Sequence, residues 1–565
     1  MTGKNLEIDL SNNESAFGPQ PQRIVLTDPL RGVYAQSGSI AEITRGTYKG
    51  SLAVMWQQSD VFYQENHPSV SLRISVSRDA GNSWSSAQEP QGYTHGAGAD
   101  NNPYVYFDPE REILFCFFMR NMDGVWSGDI EAWCYGMKSM DGGDTWTAPV
   151  PIFGEKGQRY QIAPSHIIKN AAGDWVQPIY HSPERKPRFE AGLLILPAGA
   201  DPLDSSAWKY VSVPNPEGVH LSEMTVVASG KDGKGDANQL WALIRGSGLW
   251  ESVSRDGGYS WSEPIPDQQL CFNQSKPNLL RLAKGDCVLL GNNISPPQPR
   301  SGERSEDRPR RWPLTAFLKK EGSKRFHKAR NIGWGDDFPK GQMHSYPFGL
   351  ELSDGRLAVS CGLGDYTFNI RGYGVVFIPK ISEHIDSHDL SIRLGTYGYS
   401  PVAERGALLI KEANHCVDFS PLVPVGKSKD APLITIKFEV RVPGFPFQSH
   451  PVHFPFISLF NRDNKRMLVL SYDREGGYGI VIECMVIEGK ERLITPCKIP
   501  VERSLFVELR CFCDDCEVIL GEKCRERVPW RLPGSIWRIT LGGGTPIPLR
   551  VEYRSLAFLV EASDT

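Results

Sequence analysis

The sequence predicts an all-β protein: a six-bladed β-propeller followed by a β-sandwich. Three observations carry that expectation. A Ser-x-Asp-x-Gly-x-x-Trp motif occurs three times at regular spacing. Apolar strand pairs with short polar turns recur around it. Beyond about residue 385 the motif stops while apolar–polar alternation continues.

The first copy of the motif runs from Ser77 through Asp79 and Gly81 to Trp84. The second is Ser139, Asp141, Gly143 and Trp146, and the third is Ser254, Asp256, Gly258 and Trp261. Its chemistry is local. The Ser and Asp side chains can satisfy turn amides, the Gly supplies positive φ, and the Trp covers the hairpin against the next sheet. The motif is therefore a folding element and not a reaction centre. Asp79 to Asp141 spans 62 residues, and Asp141 to Asp256 spans 115, close to two such periods with one unmarked unit between. A further period lands on Leu318–Phe326, where LKKEGSKRF reads as a decayed copy. A four-stranded sheet is the natural unit for repeats of this length.

Hairpin pairs supply the strands. GSIAEITRGTYKGSLAVMW, NPYVYFDPEREILFCFF, PNLLRLAKGDCVLLG and YPFGLELSDGRLAVSCG each read as strand, polar turn, strand. The expected layout is an N-terminal extension at 1–24, a propeller at 25–380, a connector at 381–404 and a sandwich at 405–565. ITIKFEVRV, RMLVLSYD and SLFVELRCF alternate in the way a sandwich strand with one buried face requires.

Composition bounds the function. With 565 residues, 40% hydrophobic and 23% charged, the chain can bury a large core in more than one domain. A net charge of -4 gives no electrostatic case for nucleic acid or an anionic membrane. No apolar run is long enough to span a membrane. Residues 1–30 are polar and lack the apolar stretch of an export signal, the pattern of a cytoplasmic chain or of a mature secreted one. Seven of the 12 cysteines lie beyond residue 400. The spacing of Cys511, Cys513, Cys516 and Cys524 is not that of paired zinc knuckles, and Asp514-Asp515 reads as a hairpin turn, so they are expected as strand residues. No D-x-D-x-D-G calcium loop occurs, and no cofactor is expected.

The motif-bearing region resembles the sialidase (neuraminidase) superfamily, whose members carry this Asp-box repeat. A propeller followed by a concanavalin- or laminin-G-like sandwich is also similar to the layout of trans-sialidases and several bacterial sialidases. The resemblance implies an active site at the propeller's central opening. Three arginines there bind the sugar carboxylate, a Tyr–Glu pair supplies the nucleophile, and an Asp acts as acid and base. Glu223 in HLSEMTVV precedes Arg245 in LWALIRGSG by 22 residues, as the family's Glu precedes its second arginine. Tyr346 in HSYPFGLELSDG matches the nucleophile, and Arg311 in RRWPLTAFL stands at the third arginine, with Arg308 and Arg310 nearby. The first arginine is not matched. Its place reads Tyr34-Ala-Gln-Ser37, with Arg31 the nearest arginine. The acid/base loop, QQSDVFYQENHPSVSLR, offers Asp60, Glu65 and His67.

These residue types suit that chemistry. A neutral Tyr nucleophile is not repelled by a carboxylate on the anomeric carbon, a neighbouring Glu can take its proton, and an arginine fork makes two charge-assisted bonds to a carboxylate. The leading expectation is an exo-acting retaining glycoside hydrolase of sialidase type with a glycan substrate. Two alternatives stand beside it. One is a lyase or glycosidase acting on uronate- or rhamnose-containing glycans, with His95 in the Gly-rich GYTHGAGADNN loop as base. The other is a glycan-binding propeller without turnover, which the Ser37 departure favours. Glu223 and Arg245 would also satisfy each other as a purely structural ion pair.

Overall fold

A computed structural model describes residues 4–7, 11, 22–27, 34–61, 65–122, 131–182, 189–229, 238–246, 248–267, 270, 275–292, 314–323, 326, 328–333, 343–364, 370–379, 394–397, 402–404, 407–410, 416–419, 432, 434–441, 454–460, 466–473, 479–485, 492–497, 504–512, 515–522, 524–529, 538–542 and 551–560. Every regular element among them is a β-strand.

The strands from residue 22 to residue 378 form five hydrogen-bonded sheets. The first pairs Tyr34–Glu42, Leu52–Ser59 and Ser71–Ser77. The second holds nine strands in two parts. Asp100–Asp108, Ile113–Asn121, Ala132–Ser139 and Val150–Phe153 make one part. Arg159–Ile162, Ile168–Lys169, Trp175–Ser182, Glu190–Leu196 and Lys209–Ser212 make the other. One parallel pairing, Arg159 with Ala132, joins them. Met224–Ala228, Leu240–Arg245, Leu249–Ser254 and Ile265–Pro266 form the third sheet. Asn278–Arg281, Cys287–Asn292, Leu314–Lys319 and Lys328–Gly333 form the fourth. In the fifth, Met343–Glu351, Leu357–Gly364 and Ile370–Ile378 are completed by Gln22–Thr27 from the start of the chain.

Hydrogen bonds between neighbouring sheets run in sequence order. Ser39 Oγ accepts from Val105 N at 2.7 Å, and Tyr104 Oη accepts from Ile167 N at 2.9 Å. Ser165 Oγ donates to Thr225 Oγ1 at 3.0 Å, which accepts from Leu279 N at 2.9 Å. Asn278 Oδ1 accepts from Gly349 N at 2.9 Å. The series returns to the first sheet where Glu42 Oε2 accepts from Ser353 N at 2.8 Å and Trp56 stacks on Tyr373 with ring centroids 5.2 Å apart. Trp56, Tyr104, Phe115, Phe117, Trp175, Phe348 and Tyr373 belong to one apolar cluster that joins these sheets. Each such buried aromatic contributes a few kcal/mol, about 1.5–3 for a Phe-sized side chain.

The three Asp boxes are built alike. In the second, Ser139 Oγ donates to Asp141 Oδ1 at 2.8 Å and accepts from Gly143 N at 2.8 Å. Asp141 Oδ1 accepts from Thr145 N at 2.9 Å, and Trp146 Nε1 donates to Gly143 O at 3.1 Å. Gly81, Gly143 and Gly258 have φ of 94°, 100° and 100°, as the motif required. In the decayed copy, Phe326 stands in place of the Trp and is buried against Phe317 and Trp241.

Beyond residue 390 the strands fall into two further antiparallel sheets. One has the order 402–404, 407–410, 551–560, 434–441, 505–511, 515–520, 524–529, with Lys4–Glu7 added along Val551–Val560. The other has the order 394–397, 416–419, 538–542, 454–460, 466–473, 479–485, 492–497. Strands thus occupy parts of the segments expected as extension and connector. Cys511 and Cys516 face each other across neighbouring strands, both buried, with Sγ atoms 3.7 Å apart.

Candidate functional site

In each sheet up to residue 378 the strand register brings the start of one strand beside the end of the next: Tyr34 with Ser59, Asp100 with Arg120, Arg159 with Ser182, Met224 with Ile244, Asn278 with Leu290, and Met343 with Gly364. The Asp boxes lie at the other end, since Leu52 pairs with Ser77 and Leu114 with Ser139. Of the sequence-predicted residues, Glu223, Arg245 and Tyr346 lie at the first of these ends.

Glu223 and Arg245 come from one sheet, where Arg245 N donates to Glu223 O at 3.0 Å. Their side chains form an ion pair, Arg245 Nη1 to Glu223 Oε2 at 2.5 Å. The same Nη1 reaches Tyr346 Oη at 3.4 Å, 101 residues later and on another sheet. Burial alone would lower the Arg245 pKa, but the charges of Glu223 and Tyr346 and their hydrogen bonds hold it above its usual value. Glu223 and Tyr346 are both buried. Tyr346 sits at a β-bulge between Ser345 and Phe348 with φ of 50°, which turns the phenol out of the strand's regular alternation.

A lysine supports this trio from beneath. Lys276 is 1% exposed, and its Nζ donates to Pro347 O at 3.0 Å and lies 5.8 Å from the Phe348 ring centroid. Burial lowers its pKa to about 7 while the Glu223 charge partly opposes that shift. Tyr180 adjoins the trio on another side. Its hydroxyl accepts from Asn102 Nδ2 at 3.1 Å, and burial together with the charges of Glu223, Tyr346 and Glu65 drives its pKa up, so it remains a neutral phenol.

The remaining predicted residues divide. Asp60 is half-exposed and paired with Arg73 at 2.8 Å, and it accepts from Gln58 Nε2 at 2.5 Å. Burial pushes its pKa up, but Gln58 and Arg73 prevail and hold it below the usual carboxylate value. His67 Nδ1 lies 2.7 Å from Ser69 Oγ. His95 is engaged through both ring nitrogens. Nε2 lies 2.7 Å from Pro68 O, while Nδ1 lies 3.1 Å from Tyr93 Oη and 3.3 Å from Asp100 Oδ2. Asp100 also accepts a hydrogen bond from Tyr93 Oη and a two-pronged one from Arg120, both prongs 2.7 Å. The Asp100 hydrogen bond outweighs burial and raises the His95 pKa. His166 and His181, each lowered to about 4 by burial, are packing residues: His166 lies 2.8 Å from Gly349 O, and His181 stacks on Tyr160 at 4.3 Å. Arg31 and Arg311, with Arg308 and Arg310, lie outside the described residues. Ser37 is fully buried at a bulge with φ of 37°.

Residues 50–359, more than half of the chain, match the BNR repeat-like domain family. The chain belongs to the BNR repeat-like family. The likeness to sialidases that the motifs implied is met, among solved structures, by a likeness of fold. A Hadza microbial sialidase is similar over 64% of this chain and 69% of its own, at 12% identity and a TM-score of 0.50, which shows a shared propeller fold. Trypanosoma rangeli sialidase aligns over 96% of both chains at 13% identity with a TM-score of 0.47. A Dyadobacter fermentans protein of unknown function aligns over 64% of this chain and 99% of its own at 18% identity with a TM-score of 0.49. No curated protein matches the sequence.

Three neighbours of the site in this BNR repeat-like chain escaped sequence reasoning: Lys276, Tyr180 and Asn102. Lys276 in QSKPN reads as a solvated loop lysine. Its one signal is its place two residues before the buried strand Asn278–Arg281. Tyr180 in WVQPIYHS reads as an ordinary strand aromatic, and only its pairing across sheets reveals it.

Proposed function

We propose that this chain is an exo-acting, retaining glycoside hydrolase of sialidase type that removes a terminal acidic sugar from a glycan. The observation that carries the reading is the meeting of Glu223, Arg245 and Tyr346, with one guanidinium nitrogen touching both the carboxylate and the phenol. The ordered series of sheets supports six blades across 25–380, with Gln22–Thr27 completing the last one. The two later sheets support a lectin-like sandwich at 405–565, joined through the 381–404 connector and carrying the first strand of the 1–24 extension.

In this reading Tyr346 Oη attacks the anomeric carbon and Glu223 takes its proton, which relieves the high pKa of a free phenol. The departing sugar oxygen takes a proton from an acid, and water later cleaves the tyrosyl–sugar bond to restore the phenol. Arg245 orients Glu223 and Tyr346 and offers the sugar carboxylate a charge-assisted bond, a role that Arg311 and Arg31 would share. Asp60 and His67 are the acid/base candidates on the neighbouring loop. The Arg73 pairing keeps Asp60 ionised, which suits it to stabilising positive charge on the sugar ring more than to delivering a proton.

The test is release of a fluorogenic aglycone from sialic acid between about pH 4 and 8, with Tyr346→Phe and Glu223→Ala alongside. Turnover by wild type, and its loss in both variants, is the expected result. Absence of turnover, with glycan binding retained, would replace this reading with a glycan-binding propeller.

A further inference from the structure

We propose that Arg159 forms a carboxylate-binding subsite beside the Tyr346–Glu223 pair, taking the acidic group of a sialic or uronic sugar. The inference rests on the glycan-site reading above and supplies a contact that Ser37 does not make.

Arg159 opens the strand Arg159–Ile162 at the end of the sheets where Glu223, Arg245 and Tyr346 gather. Its guanidinium carbon lies 5.3 Å from the centroid of the Phe189 ring. Among the described residues its one polar side-chain contact is long, Nη2 to Gln161 Oε1 at 3.5 Å, and its buried Nε has no hydrogen-bond partner. No carboxylate lies within ion-pair distance of it among those residues. Contrast Arg73, Arg120 and Arg245, each held by a carboxylate. An arginine whose carbon face is covered by a ring, with no acid taking its nitrogens, is set up for planar recognition of an incoming carboxylate.

The surroundings tie it to the site. Phe189 makes an edge contact with Tyr180, centroids 5.2 Å apart, and its carbonyl accepts from Leu221 N at 3.3 Å, two residues before Glu223. Gln161 pairs with Tyr180 across the strands. The charges of Glu223, Tyr346 and Glu65 raise the Tyr180 pKa and that of Arg159 lowers it, so all four lie within electrostatic reach of one phenol. His220 packs on the far edge of Phe189, with centroids 5.2 Å apart. The result is an aromatic cluster of Tyr180, Phe189 and His220 with a cation against it, within electrostatic reach of the phenol that also feels Glu223 and Tyr346.

The carboxylate could belong to the terminal sugar or to the next one along a polyuronate, and the probes separate these. Calorimetry with N-acetylneuraminate, glucuronate and a diglucuronide, each against its methyl ester, measures what the charge alone contributes. The expected result for wild type is tighter binding of acid than of ester. Preference seen with the monosaccharides places the group on the terminal sugar; preference seen only with the diglucuronide places it on the next. Arg159→Gln should weaken the acids by about 10- to 150-fold and leave the esters unchanged. Arg159→Lys, which keeps charge and fold but loses the fork, should fall between. Acids that bind wild type no better than esters, or an Arg159→Gln variant that weakens acid and ester equally, would overturn the proposal. Acid-selective binding lost in Arg159→Gln but unaccompanied by turnover would sink the hydrolase reading and leave this subsite standing.

Discussion

Replacing Lys276 by methionine tests the electrostatics under the site through stability rather than activity. Lys276 is fully enclosed, with one hydrogen bond to Pro347 O, and burial lowers its pKa from 10.5 to about 7. At about 1.4 kcal/mol per tenfold, that difference corresponds to about 5 kcal/mol. The sign follows from proton counting. Between about pH 7 and 10.5 the unfolded lysine keeps its proton and the folded one has lost it, so the unfolded state binds more protons and stability rises with pH. Below the folded value both states are charged and the burial cost is felt in full. Lys276→Met keeps the side-chain length and removes the titration. Urea unfolding of both proteins at about pH 7 and pH 9 should therefore show wild type gaining about 2–3 kcal/mol on the variant over that interval. Parallel pH dependences would refute the claim that Lys276 is a buried, titrating ammonium.

Two other outcomes follow from the same structure. Trp146→Ala removes a buried side chain of the second Asp box and should lower unfolding free energy by about 3–5 kcal/mol; because the boxes lie at the opposite end of the sheets, glycan affinity of the folded protein should not change. His95 is faced by Asp100, Arg120, Tyr93 and the Pro68 carbonyl, and its raised pKa stabilises the folded state fully below the unfolded histidine value, with the contribution lost as pH rises through the folded value. Amides of residues 67–70 should then lose hydrogen-exchange protection on raising the pH in wild type but not in His95→Gln, and equal pH dependence in the two would exclude this contribution of His95.

What was legible in the sequence was local. The Asp boxes could be read because their hydrogen bonds close within eight residues, as the Ser139–Asp141–Gly143–Trp146 set does. Glu223, Arg245 and Tyr346 could be singled out because each lies in a strand context that resembles the superfamily. The identity of their neighbours could not, because it is set by register between strands far apart in the chain. Arg159 meets Phe189 only after a strand and its return, and Lys276 reaches Pro347 across 71 residues. His95 has surroundings that the sequence does not show. A histidine in a Gly-rich loop suggests a base, and Asp100, itself clamped by Arg120, lies 3.3 Å from its Nδ1.

The bulges connect fold to site. Ser37, Asn102 and Tyr346 are non-glycine residues with φ of 37°, 55° and 50°, and each lies where the register shifts near the start of a strand facing the next sheet. Such a conformation costs about 1–3 kcal/mol at each residue, so three at matching positions need a common cause. In a regular strand alternate side chains face away, and one polar group per turn of the pleat would reach the end where the site lies. A bulge breaks that alternation and re-aims the residue it contains. The surroundings hold each one: Asn102 N donates to Gln57 Oε1 at 2.6 Å, and Pro347 O is fixed by Lys276. Gly38 beside Ser37 admits no side chain, since a Cβ there would lie 2.2 Å from Met55 O. Three sheets therefore give up strand regularity at a tyrosine, an asparagine and a serine placed near the same end. Ser37 keeps that geometry although no arginine stands there, which is why the missing charge is better sought on a neighbouring strand, at Arg159, than in a collapse of the site.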